Sequence, residues 1–248
     1  MDRHAWNERY REKELVWSAT PNRFLVEVVS GLEPGAAYDL AGGEGRNAVW
    51  MAEHGWRVTV VDWSSVALEK GRRLADQRGV EVDFREADLL DWSPSERRDL
   101  VAVVYLQMPP RERHAAWRTA LEATAAGGTL AIIGHDSSNL TEGFGGPQSP
   151  EVLYTADEVT EVIGDRVEIV RAELVHRPVE LEDGTTAIAL DNVVVGRVES
   201  SELRVPSPTS ELCTLNSALS TPLSSAAPGN SPPPLLAPGR AGPRCRSG

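Results

Sequence analysis

Apolar runs bounded by glycine or a charge alternate along the chain with stretches whose apolar residues recur every three to four positions. That alternation is the signature of βαβ units and a parallel sheet. A parallel strand is covered on both faces and reads as continuously apolar, whereas its crossover helix keeps one wet face. The pattern predicts strands over 36–41, 57–62, 81–87, 100–106 and 129–135, the last following a Gly127-Gly128 turn. Helices are predicted over 46–54, 64–78 and about 111–124.

The rhythm then changes. A helix over 156–163 precedes two strand-like segments, 167–175 and 187–198, with the turn signal Asp183-Gly184 between them. The expected fold is α/β: a doubly wound, mostly parallel, seven-stranded sheet closed by an antiparallel hairpin. Residues 2–30 read as helical and carry Trp6, Tyr10, Trp17 and Phe24. They predict an N-terminal helical cover over 1–30, packed across the sheet.

Composition divides the chain in two. Nine of the 17 prolines lie between Pro206 and Pro243, and no Phe, Trp or Tyr follows Tyr154. Residues 200–248 have little to bury and are expected to form a disordered tail after a single domain over 1–199. The net charge is −12, and before residue 200 there are 21 basic against 35 acidic side chains, or −14. A surface of that sign without a segregated basic stripe argues against nucleic acid as a partner. Both cysteines, Cys213 and Cys245, fall in the tail, so neither a disulfide framework nor a cysteine metal site organises the core. The histidines show no paired spacing, and no metal is expected. With no apolar run near the length of a membrane span and no apolar leader, a cytoplasmic protein without membrane partners is expected. Nothing in the pattern speaks to oligomeric state.

The chemistry concentrates in Tyr38-Asp39-Leu40-Ala41-Gly42-Gly43-Glu44-Gly45-Arg46-Asn47, where a strand runs through a glycine-rich turn into a helix. Glycines let a ligand approach the backbone, and the helix start offers free N–H groups. Alone, such a loop is as often an ordinary strand-to-helix turn. Here Asp62 ends the next strand and Asp88 follows the third, and in a doubly wound sheet neighbouring strand ends line one crevice. Asp39, Asp62 and Asp88 are expected to converge there, with Asp62 placed to accept the hydroxyl hydrogens of a ribose. The stretch Gly43 to Ala48 also fits a nicotinamide or flavin dinucleotide fingerprint, which leaves an oxidoreductase as the alternative. Against it stand the extra acids and the hairpin ending.

These residues resemble the class I S-adenosylmethionine-dependent methyltransferases, whose Rossmann-like fold is the one expected here. Within that family the chain is similar to the tellurite-resistance and thiopurine methyltransferase branch through Trp6-Asn7-Glu8-Arg9-Tyr10, Pro21-Asn22-Arg23-Phe24, Asp39 to Asn47, and His54 to Asp62. The resemblance implies S-adenosyl-L-methionine as cofactor and a small-molecule acceptor, with a thiol, selenium or tellurium nucleophile as one option. It implies that Gly43 and Gly45 lie beneath the methionine part of the cofactor and that Asp39 orders their loop. It further implies that Asp62 holds the ribose, Trp63 flanks the adenine, and Asp88 with Leu89 addresses the adenine edge. Ala41 departs from the family by occupying the usual first glycine of the loop, which also keeps open a catalytically inactive cofactor-binding protein.

Gln107-Met108-Pro109-Pro110 resembles the motif of amino-methylating nucleic-acid enzymes but lacks its aromatic platform, and reads as a proline-started helix. A hydroxyl or amine acceptor would need a base, and the end of the fifth strand supplies one in His135, next to Asp136. The plainer reading is that His135 and Asp136 only cap the glycine-rich loop over 140–150. That loop is either a cover for the substrate or a connector.

Overall fold

The computed structural model describes residues 3–12 and 19–199, all within the first of the chain's two units, residues 1–204. Trp17, both cysteines and the expected tail over 200–248 lie outside the described residues. The elements in chain order are α1 (Arg3–Glu12), α2 (Arg23–Val29), β1 (Ala36–Leu40), α3 (Arg46–Glu53), β2 (Arg57–Asp62), α4 (Ser65–Arg78), β3 (Asp83–Glu86), β4 (Arg98–Val104), α5 (Pro110–Ala123), β5 (Thr124–His135), α6 (Asn139–Glu142), α7 (Ala156–Ile163), β6 (Val167–Glu180) and β7 (Thr186–Val198).

The seven strands form one sheet in the order β3-β2-β1-β4-β5-β7-β6. β1 through β5 run parallel, and β7 pairs antiparallel with both β5 and β6. The sheet therefore reverses direction after β3 and again at the hairpin, and β1 and β4 meet at the topological switch point. Every residue of β1 is buried, as a strand covered on both faces requires. One face packs Phe24 and Leu25 of α2, Met51 of α3 and Leu68 of α4. The other packs Trp117 and Leu121 of α5 and Val159 and Ile163 of α7. Arg113, only 4% exposed, joins α5 to α7 through a two-armed contact with Glu158 at 2.8 and 2.9 Å.

Local sequence explains most boundaries. Ser64 caps α4 through its hydroxyl, Gly79 ends it in the left-handed region, Pro110 starts α5, and Thr155 caps α7. The departures from expectation have physical causes. β5 begins at Thr124, so Gly127-Gly128 lies inside the strand rather than before it. The positive φ of 75° at Gly127 and the register shift opposite Arg98 and Leu100 mark a bulge that accommodates the glycines. β4 stops at Val104 because Tyr105 turns to φ 57°, which breaks the predicted run to 106. The hairpin strands are longer than predicted, since their polar outer residues alternate too weakly to mark a strand end. Pro178 is tolerated in β6 because that strand is the sheet edge.

The N-terminal segment does more than cross the sheet. Asn22 caps α2, and its backbone N–H donates to the Asn47 side chain at 2.8 Å. Ser64 donates to the Asn7 side chain at 2.6 Å, and Lys70 donates to the Tyr10 carbonyl. Two N-terminal blocks thus bind the start of α3 and the first turns of α4.

Candidate functional site

Asp39 and the glycine turn stand at the carboxyl end of β1, beside the carboxyl end of β2. Ala41 donates its N–H to the Val61 carbonyl at 2.8 Å and holds φ 53°, a left-handed conformation that a side chain resists. Gly43 and Gly45 follow at φ 56° and 68°, so three of five consecutive residues are left-handed. A Cβ on Gly43 would lie 2.7 Å from the Tyr10 hydroxyl, and one on Gly45 would lie 2.8 Å from the Phe84 ring. Only glycine fits between these neighbours. Gly45 precedes α3 without any side-chain cap, leaving the first N–H groups of that helix toward the turn.

Asp62 holds this turn by hydrogen bonds. Oδ2 of Asp62 accepts the Gly43 N–H at 2.9 Å and Oδ1 accepts the Ser64 N–H at 2.8 Å, with the residue only 6% exposed. Asp39 is fully buried, and neither of its oxygens has a well-formed hydrogen bond. Its pKa is pushed up to about 7: burial is the main cause and the Asp62 charge adds to it, while the Arg46 guanidinium and the Ala48 N–H pull the other way.

Asp88 follows the end of β3 by two residues. Its side chain accepts the Leu90 N–H at 3.0 Å and caps its own turn, while Leu89 buries its side chain against Leu40 and Val61 in the core. Trp63 stands half-buried just after Asp62.

A second group of polar residues gathers across the switch point, and the sequence pointed to only one member of it. His135 ends β5, and its Nδ1 lies 2.9 Å from Oδ1 of Asp191 on β7, a residue with no solvent exposure. That approach is off-axis, short of good hydrogen-bond geometry. The other Asp191 oxygen, Oδ2, accepts the Tyr105 hydroxyl at 2.8 Å and Nε of Arg177 at 2.7 Å. Burial alone would raise the Asp191 pKa, but the contacts from His135, Arg177 and Tyr105 outweigh it and hold the carboxyl below its ordinary value. The Tyr105 ring stacks on the His135 ring with centroids 4.6 Å apart, and the Arg177 guanidinium lies over the Tyr105 ring at 5.8 Å from its centroid. Burial and the neighbouring Asp191 charge drive the Tyr105 pKa upward, so its hydroxyl stays protonated as a donor.

Asp136, beside His135 in sequence, turns away and caps the next turn by accepting from Ser138 at 2.9 and 2.7 Å. The loop over 140–150 is pinned. Asn139, 2% exposed, donates to the Gly145 carbonyl at 2.9 Å and accepts the Leu190 N–H at 2.7 Å. Gly146 then lies against His135, where a Cβ would come within 3.2 Å of ring carbons Cδ2 and Cε1.

Arg46 links the two groups. Its guanidinium has no hydrogen-bond or ion-pair partner among the described residues, and burial lowers its pKa against the opposing pull of Tyr105, Asp39 and Glu44. Its position inside the glycine block, and the two polar residues Asp191-Asn192 inside an otherwise apolar strand, were the signals available in sequence. Among the described residues no cluster of His, Cys, Asp or Glu is arranged to hold a metal, and no helix is long and apolar enough to cross a membrane.

Residues 37–128 match the family model described as a methyltransferase domain. No curated protein sequence matches the chain. Among solved structures, one described as the conversion of a disulfide bond into a thioacetal group during echinomycin biosynthesis aligns with TM-score 0.65 and 22% identity, over 81% of this chain and 93% of the other. TehB from Haemophilus influenzae aligns with TM-score 0.62 and 16% identity, over 78% and 67% of the two chains. The N-methyltransferase NodS from Bradyrhizobium japonicum, in complex with S-adenosyl-L-homocysteine, aligns with TM-score 0.62 and 17% identity, over 80% of this chain and all of the other. The sheet is that of these proteins, and the match to the methyltransferase-domain model covers β1 through the first part of β5, with the glycine turn and both buried acids.

Proposed function

We propose that the chain transfers a methyl group from S-adenosylmethionine to a small molecule. One observation carries the reading: the glycine turn after β1 is tied by its Gly43 N–H to the carboxylate that ends β2, within the matched domain. The donor set suits this cofactor. The Asp62 carboxylate is the acceptor that would take the ribose hydroxyls, and the uncapped start of α3 faces the turn. Arg46 brings an unpaired guanidinium for a carboxylate. Ala41, Gly43 and Gly45 would form the floor under the amino-acid part. Trp63 would flank the adenine, with Asp88 and the Leu89 backbone at its edge and Asp39 behind the turn.

Bound there, S-adenosylmethionine supplies a methyl group on a sulfonium, already an excellent leaving group. The protein's contribution is to hold acceptor and methyl in line, which is worth up to about 7–11 kcal/mol. The acidic chain favours a small acceptor over a nucleic acid.

Calorimetric titration of the chain with S-adenosylhomocysteine and, separately, with NAD tests the cofactor. Tight binding of the former alone is expected. Binding of NAD in its place sinks the reading.

A further inference from the structure

Building on that reading, we propose that Asp191 is a positioning residue that makes His135 the general base of the site, and that the acceptor is a neutral group, such as a hydroxyl, that gives up a proton on transfer. The argument starts from the carboxylate. Asp191 is an ion with no solvent exposure, and burying an ion is costly unless it is fully matched. Arg177 from β6 balances its charge and, with Tyr105 from the end of β4, occupies Oδ2. The oxygen left over, Oδ1, faces Nδ1 of His135 at 2.9 Å. A carboxylate only accepts, so this contact is favourable only when Nδ1 carries the proton. That places the lone pair of neutral His135 on Nε2.

The ring is held in that orientation from both sides. Tyr105 stacks on it at 4.6 Å, and the backbone at Gly146 lies so near that any side chain there would press on the ring. The loop that carries Gly146 is itself anchored to β7 through Asn139. Nδ1 is buried, whereas Nε2 is not among the buried atoms and has no partner among the described residues. The charged and titratable groups around the ring are thus Asp191 of β7, Tyr105 just after β4 and Arg177 of β6, with Arg46 of α3 next to Tyr105 and Arg177, and Asp136 turned away.

Such an arrangement is idle toward a nucleophile that is already anionic, because a thiolate or telluride needs no proton removed. It serves a neutral acceptor. The hydroxyl oxygen forms a bond to the methyl carbon with one lone pair. The carbon–sulfur bond breaks with its electron pair going to sulfur, and the hydroxyl proton passes to Nε2 of His135. The imidazolium that results pairs with Asp191, whose charge is in place before the reaction. The proton then leaves to solvent and the neutral ring is restored.

The first test needs no cofactor. Nitrogen NMR of the free, unmodified chain reads which ring nitrogen of His135 carries the proton in the neutral form. The Nδ1–H tautomer is expected, and in Asp191→Asn, where the amide can donate to Nδ1, the population moves toward Nε2–H. The second test follows S-adenosylhomocysteine release from the full chain with panels of phenols and alcohols, and of thiols and tellurite. Turnover of hydroxyl acceptors is expected to fall on the order of a hundredfold in His135→Ala. In Asp191→Asn a similar loss is expected in kcat, with KM and S-adenosylhomocysteine affinity within about threefold of the parent, as when the wrong tautomer is held in an unchanged site. An Nε2–H tautomer in the unmodified chain overturns the proposal, as does turnover confined to thiols or tellurite and indifferent to His135→Ala. Failure to bind S-adenosylhomocysteine sinks the cofactor assignment instead and leaves the tautomer measurement standing.

Discussion

Replacing Asp39 by asparagine should change how the stability of the free protein depends on pH. Asp39 is fully buried without a well-formed hydrogen bond, and its pKa is raised from 3.8 to about 7, chiefly by burial. Between those two values the native state retains a proton that the unfolded chain has released. Stability is therefore fullest at acid pH and falls as pH rises through the native pKa. At about 1.4 kcal/mol per pKa unit, the whole shift corresponds to about 4 kcal/mol, of which about 3 kcal/mol is lost between pH 5 and pH 8. An amide in place of the carboxyl carries no such proton, so the stability curve of Asp39→Asn should lack this slope. In a domain of this size the melting temperature of Asp39→Asn relative to the parent should rise by on the order of 5–10 °C between those pH values. The absolute offset is less informative, because the new amide also sits among unmatched neighbours, and the pH dependence of the difference is the quantity to measure. Thermal melts of both forms at intervals from pH 4.5 to 8.5 suffice. A difference that stays flat across that range would refute the buried, proton-retaining carboxyl.

Three further substitutions probe the same edge of the sheet. Ala41→Gly removes a side chain from a left-handed residue at φ 53° and should raise stability by roughly 1 kcal/mol or less once unfolded-chain entropy is deducted, visible as a small gain in melting temperature. A loss would mean that the Ala41 methyl packs productively. Asp62→Ala strips the Gly43 and Ser64 N–H groups of their acceptor and should lower both the melting temperature and the affinity for S-adenosylhomocysteine, the latter at least about tenfold by calorimetry. Unchanged affinity would remove Asp62 from the cofactor site. Gly134→Ala puts a Cβ 2.0 Å from the Tyr154 hydroxyl and should destabilise by about 1–3 kcal/mol in denaturant titration, whereas an unchanged midpoint would contradict the packing of β5 on Tyr154.

The chain pattern alone was enough for the strands that are buried on both faces, for the helices with a cap or a starting proline, and for the change to a hairpin at the end. β2 spans 57–62 and α7 spans 156–163, as the run of apolar residues and its flanking signals predict. Such features are local: apolar periodicity and turn chemistry act within a few residues. The glycine turn was legible for the same reason, since left-handed backbone selects glycine wherever it occurs.

Contacts between distant segments were not legible. Asp39 and Asp62 look alike in sequence as acids near strand ends. Their difference arises because β1 lies in the middle of the sheet and Asp39 sits one position before its last residue, whereas Asp62 ends β2 and reaches the Gly43 N–H. Asp88 stands two residues past the end of β3, where its carboxylate accepts the Leu90 N–H, a local turn that the apolar pattern did not mark. His135 stood out as a lone histidine at a strand end, but its partner lies 56 positions further along, brought alongside by the antiparallel pairing that sets His135 opposite Asp191. Burial and the company of a charge depend on which strands become neighbours, and long-range pairing leaves no periodic trace in the chain.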